Sequence, residues 1–199
     1  MKKLRGVCLV MIMTLLTGCS VDRYMNNGNA EISYEPVVCR YTTMPTCWTV
    51  LDFISTNIKV NADNTVEVYC GDFHDRVYDE DVIVEYIYGE TFEISEEQKQ
   101  EIIDSIEKNK RGLLKENGEE ESCDGSMSYI VLFDKNGEVL HNCGGLNPCG
   151  KSYEQVKDVI FSVLPEGTTK DIKRKSTEIL IDYLLENYPE EYDWLAEER

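Results

Sequence analysis

The sequence is poor in positive charge. Lys and Arg number 20 against 38 Asp and Glu, a formal net charge of −18 over 199 residues. So acidic a chain repels phosphate backbones, and nucleic acid is not an expected partner. Histidine and tryptophan are scarce, at two each. No Cys-x-x-Cys pair, Gly-x-Ser-x-Gly elbow or spaced Asp-x-Asn-x-Asp-Gly loop occurs. Thioredoxin-like redox chemistry, α/β-hydrolase chemistry and EF-hand calcium binding are therefore unsupported. No apolar run reaches the ~20 residues that a membrane-spanning helix needs, and no internal repeat is visible.

What is present begins at the N-terminus. Lys2, Lys3 and Arg5 form a positive flank, Val7 to Leu16 a short apolar core, and Leu16-Thr17-Gly18-Cys19 a run of small residues ending in cysteine. This order resembles a bacterial lipobox. The resemblance covers only about the first twenty residues. It implies a lipoprotein signal peptide over residues 1–18, a diacylated Cys19 as mature N-terminus, and a tether over residues 19–30. It also implies a location on the extracytoplasmic side of the cell membrane. Each buried lipid methylene contributes roughly 0.8 kcal/mol, so two acyl chains anchor firmly. Loss of Lys2, Lys3 and Arg5 with residues 1–18 would take the net charge from −18 to −21, which leaves the lipid as the main membrane attachment.

Six cysteines lie beyond Cys19: Cys39, Cys47, Cys70, Cys123, Cys143 and Cys149. An even number in an exported chain predicts disulfides, although spacing alone does not choose the connectivity. Cys143 with Cys149 and Cys39 with Cys47 are the simplest loop closures.

Between residues 31 and 165 the pattern is that of a mixed domain. "EISYEPVVCRY", "TCWTVLDFI", "NIKVNADNTVEVYCGDF" and "DVIVEYIYGETFEI" are rich in β-branched and aromatic residues and read as strands, with a turn at Asn61–Asn64. Ser95 with Gln98 forms a capping box before a helix carrying Ile102, Ile103 and Ile106. "SYIVLFDKNGEVLHNC" is a hairpin turning on Asp134-Lys135-Asn136-Gly137, where Asn and Gly tolerate positive φ. Ser152 with Gln155 predicts a second capping box, before a helix carrying Val156, Val159, Ile160 and Val163. Residues 166–199 read as a separate acidic helical segment with a break at Pro189. The expected fold is α+β, a mainly antiparallel sheet with two or three packed helices.

One stretch points elsewhere. Gly145 to Ser152 reads "GLNPCGKS" and fits Gly-x-x-x-x-Gly-Lys-[Ser/Thr] at every fixed position. It resembles the phosphate loop of transporter ATPases. That resemblance implies nucleotide binding through Gly145, Gly150, Lys151 and Ser152, with "YIVLFD" ending at Asp134 as a magnesium-binding look-alike. Three features oppose it. The signal peptide removes the domain from cytoplasmic ATP. The hairpin forces an antiparallel pair where a P-loop fold needs a parallel one. Cys143 and Cys149 bracket the loop as a disulfide that would close it, and Pro148 within it deletes one of the amides that a phosphate would use. The expected role is a strand-to-helix turn.

Other groupings carry less. His141, Cys143, Cys149 and Cys123 are types that hold zinc, but oxidation of exported cysteines competes, and no metal or cofactor is expected. Asp72, Asp75, Asp79, Glu80 and Asp81 crowd one region without calcium-loop spacing. Tyrosines alternate with acids in "VEYIYGETF" and "NYPEEYDWL", a composition suited to recognising peptide or carbohydrate and equally to half-buried strand and helix positions. The sequence therefore predicts a membrane-anchored binding or interaction module with no catalytic set, whose partner is a protein, peptide or carbohydrate.

Overall fold

The computed structural model describes residues 31–45, 54–77, 80–115 and 125–198. The lipobox, Cys19, Cys47, Asp79, Cys123 and most of "TCWTVLDFI" lie outside the described residues. From Ile32 onward the chain forms one compact unit.

Six strands make one antiparallel sheet: β1 (Val37–Pro45), β2 (Ser55–Asn61), β3 (Thr65–Val77), β4 (Glu80–Glu93), β5 (Ser126–Phe133) and β6 (Val139–Leu146). Their spatial order is β4-β3-β2-β1-β5-β6. The helices are α1 (Glu96–Leu113), α2 (Lys151–Ser162), α3 (Thr168–Asn187) and the short α4 (Pro189–Tyr192), followed by a 3-10 turn over Asp193–Glu198. The expected α+β architecture is the one observed.

Local chemistry explains each corner. In the β2–β3 turn Asn64 takes φ 69°, and the Asp63 carboxylate accepts from the Thr65 amide at 3.2 Å and its hydroxyl at 2.6 Å. That hydroxyl bond, first among the causes, holds the Asp63 carboxyl below its usual pKa. In the β5–β6 turn Asp134 Oδ1 accepts from the amides of Asn136 and Glu138 at 2.8 and 3.0 Å. Only Gly137 there has positive φ, at 78°, so Asn136 does not need the left-handed conformation expected of it. Ser95 caps α1 as predicted, its hydroxyl accepting from the Gln98 amide while Gln98 Oε1 accepts from the Ser95 amide. Glu96 and Glu97 in the first turn, with Lys110 and Arg111 in the last, match the helix dipole.

The second predicted capping box is not formed. The N-cap of α2 is Gly150, with φ −65° and ψ 136°, so Lys151 is the first helical residue and Ser152 lies inside the helix. An extended residue already stands directly before Lys151, and its carbonyl accepts the first helical bond, from the Glu154 amide at 2.9 Å. At the far end, α2 stops before Pro165, and Gly167 starts α3 at φ 82°. The break at Pro189 is present, since the chain leaves helical geometry at Tyr188 and Pro189 opens α4.

The described helices share one face of the sheet. Tyr41, Ile58, Val68 and Glu90 stand opposite one another across β1, β2, β3 and β4. Tyr41 at one end meets Phe161 of α2 edge-on, with centroids 5.1 Å apart. Glu90 at the other end meets Lys175 of α3 at 2.7 Å. Helix α1 packs beside α2. Between sheet and helices lies one core, with Ile58, Val68, Ile102, Ile106, Ile130, Leu132, Ile160 and Leu184 all fully buried. Residues set apart in the sequence reading as a C-terminal segment supply Ile172, Leu180, Ile181 and Leu195 to this same core.

Candidate functional site

"GLNPCGKS" leaves the sheet at its edge. Gly145 still pairs with Ser128, and Gly144 with Tyr129, in the antiparallel ladder to β5. A Cβ at Gly144 would lie 2.2 Å from the Ser128 carbonyl oxygen, and its φ is 133°, so the double glycine answers a crowded ladder. Asn147 then turns the chain at φ 45°. Its amide donates to the Ser126 carbonyl at 2.9 Å and its side-chain oxygen accepts from the Ser126 amide at 3.0 Å. Lys151 follows, exposed on the first turn of α2.

Asp134, the magnesium-ligand look-alike, sits at the opposite end of the hairpin. The eight residues of β5 separate the two ends, a span of roughly 25 Å at strand rise. One Mg²⁺ cannot bridge that span, and the Asp134 carboxylate is already engaged by its own turn, whose Asn136 amide first and Glu138 amide second hold its pKa down. Calorimetry with ATP or GTP and Mg²⁺ is expected to show no saturable heat. Micromolar binding that disappears in Lys151→Ala would restore the phosphate-loop reading.

The four described cysteines beyond Cys19 do not pair as expected. Cys39, Cys70, Cys143 and Cys149 are unpaired thiols. Cys143 stands opposite Ile130 and is buried in the core, whereas Cys149 is exposed beyond the end of the strand. Their side chains thus go to different environments, and the short loop between them is not closed. Burial pushes the Cys39 and Cys143 thiols up to about 12 each, which makes them unreactive packing residues.

The zinc grouping is likewise not assembled. His141 is half-buried opposite Leu132, and loss of solvation lowers its pKa. Among the described residues no three His, Cys, Asp or Glu side chains are grouped to hold a metal. The acidic run expected to crowd a loop is instead largely strand, with Asp72 and Asp75 on β3 and Glu80 and Asp81 on β4. Asp72 accepts from Ser55 Oγ at 2.6 Å.

A shallow hollow of about 470 Å³ lies between the start of β1 and the β2–β3 turn, lined by Glu35, Lys59, Asn61, Asp63 and Glu67. Three of these side chains engage one another. Glu67 Oε1 takes Lys59 Nζ at 3.0 Å and Asn61 Nδ2 at 2.7 Å. Burial works to raise the Glu67 pKa, and these two bonds outweigh it, so the group stays below the usual value.

The tyrosine-rich stretches divide. In "NYPEEYDWL", Tyr188 meets Tyr183 and Tyr192 edge-on, and Tyr192 is 2 % exposed, so this cluster closes the core beneath the end of α3. "VEYIYGETF" is different, because it is most of β4, the outermost strand of the sheet. Tyr86 is exposed and stacks on Tyr69 with centroids 5.8 Å apart. Tyr88 donates to Glu90 at 2.7 Å, and Lys175 donates to both. Residue alternation could flag this stretch as amphipathic, but its edge position depends on strand order, which no local pattern encodes.

The architecture defines a class: an antiparallel α+β domain whose described helices cover one sheet face, with a long acidic strand at one edge. No family model, no curated protein and no solved structure matches the chain.

Proposed function

We propose that the chain is an exported lipoprotein, held on the extracytoplasmic side of the cell membrane by a diacylated Cys19, and that its domain is a non-enzymatic binding module. The observation that carries this reading is the order of the N-terminal residues: Lys2, Lys3 and Arg5, then Val7 to Leu16, then Thr17-Gly18-Cys19. Attachment falls to that segment because no helix among the described residues is long and apolar enough to cross a membrane. The surrounding acidity argues against a second, electrostatic attachment to anionic lipid. The binding role follows from the distribution of chemistry. The buried thiols are packing groups, Lys59, Asn61 and Glu67 in the hollow engage one another, and the acidic, tyrosine-bearing edge of β4 pairs with no further strand among the described residues and suits a protein or peptide partner.

Membrane fractionation tests the anchor. Wild-type protein is expected to stay with membranes through high-salt and alkaline washes and to be released by detergent. Cys19→Ser is expected to stay unprocessed or to appear in the soluble fraction. Identical partition of the two proteins would end this reading.

A further inference from the structure

Among the described residues the outer edge of β4 has no neighbouring strand. β4 runs 14 residues, Glu80–Glu93, and pairs only with β3 among the described residues. Its backbone groups directed away from β3 meet no further strand there, an arrangement that invites strand addition. Two large side chains on it, Ile83 and Tyr86, are 59 % and 60 % exposed. The strand also carries Glu80, Asp81, Glu85, Glu90 and Glu93 and no Lys or Arg. β6, at the other edge, is shorter at 8 residues, bears no Asp, Glu, Lys or Arg and carries the Gly144-Gly145 pair just before its last residue, Leu146.

These features select the occupant. A second copy of β4 is unsuited, since antiparallel self-pairing centred on the strand sets Glu80 of each copy against Glu93 of the other, and like charges across a ladder repel. The net charge of −18 adds to that repulsion. A cationic strand meets no such penalty. Strand geometry turns successive side chains to opposite faces, so Ile83 and Tyr86, three positions apart, stand on opposite faces, and a fitting partner combines Lys or Arg with apolar β-forming residues. We infer that the β4 edge is a docking site for an extended, basic segment of a partner protein, taken up as a seventh strand. The inference rests on the reading of the domain as a binding module, and it names the surface and the chemistry of the partner.

The test uses the full chain in detergent and labelled peptides of about ten residues, a typical strand length. One peptide alternates Lys with Val. The second alternates Lys with Pro, which keeps the charge but removes alternate amide donors and resists sheet pairing. The Lys–Val peptide is expected to bind at least about tenfold more tightly than the Lys–Pro peptide and to weaken as salt is raised. Paired substitution Glu85→Lys and Glu93→Lys is expected to weaken it at least about tenfold, with circular dichroism unchanged. Tyr86→Ala, which keeps the charge, is expected to weaken the same peptide. Equal binding of the two peptides, or binding unaltered by the charge reversal, would reduce the effect to diffuse attraction and overturn the proposal. So would absence of binding, or a dimeric chain that takes neither peptide, the latter placing a second copy on the edge. The washes applied to Cys19→Ser do not involve β4, so loss of the edge site and loss of the anchor are read separately.

Discussion

Ile58→Ala is expected to lower the unfolding free energy by about 2–5 kcal/mol. Ile58 is fully buried and stands between Tyr41 and Val68 in the row that crosses the sheet beneath α2 and α3. Truncation removes apolar atoms from the centre of the core and leaves a cavity that a sheet pinned by ladders on both sides cannot close. With a urea slope of about 1–3 kcal/mol per molar, the midpoint falls by at least about 0.7 M. Ile83→Ala, on the exposed part of β4, is expected to change stability by no more than about 0.5 kcal/mol. Similar midpoints for the two variants would contradict the placement of the core.

The second large effect concerns the C-terminus. A stop codon at Thr168 removes Ile172, Leu180, Leu184 and Leu195, each 1 % exposed or less. At about 1.5–3 kcal/mol per buried aliphatic side chain, the loss is about 6–12 kcal/mol. That matches the whole stability of a typical domain, about 5–15 kcal/mol. It would also uncover the β3–β4 end of the sheet, against which α3 packs. The truncated chain is expected to show no cooperative thermal transition and to aggregate. A cooperative transition close to that of the full chain would instead mark residues 166–199 as the separate segment that composition alone suggested.

That contrast shows where local reading stops. Ser95 and Gln98 lie within one helical turn, so their capping box was legible, as was the β5–β6 hairpin with its Asp-Lys-Asn-Gly turn. Ser152 with Gln155 spells an equally good box, yet Gly150 takes the cap because it is already extended where the chain leaves Asn147 and Pro148. The thiols were misjudged for a related reason. Spacing brings Cys143 and Cys149 near in sequence, but the pleat turns Cys143 into the core while Cys149 follows the strand's end. The candidate surface was half legible. Alternating tyrosines and acids marked "VEYIYGETF", whereas its outermost place arises from β1 inserting between β2 and β5. The phosphate-loop spelling is equally local: the segment forms the expected strand-to-helix turn, and Gly145 and Asp134 stand at different ends of one hairpin.

The central claim is the lipid anchor at Cys19, and the most direct measurement is the intact mass and N-terminal sequence of the protein extracted from membranes. The account predicts a chain that begins at Cys19, heavier than the polypeptide by a thioether-linked diacylglycerol, and lacking that mass in Cys19→Ser. A chain that retains Met1 with an unmodified Cys19 would contradict it.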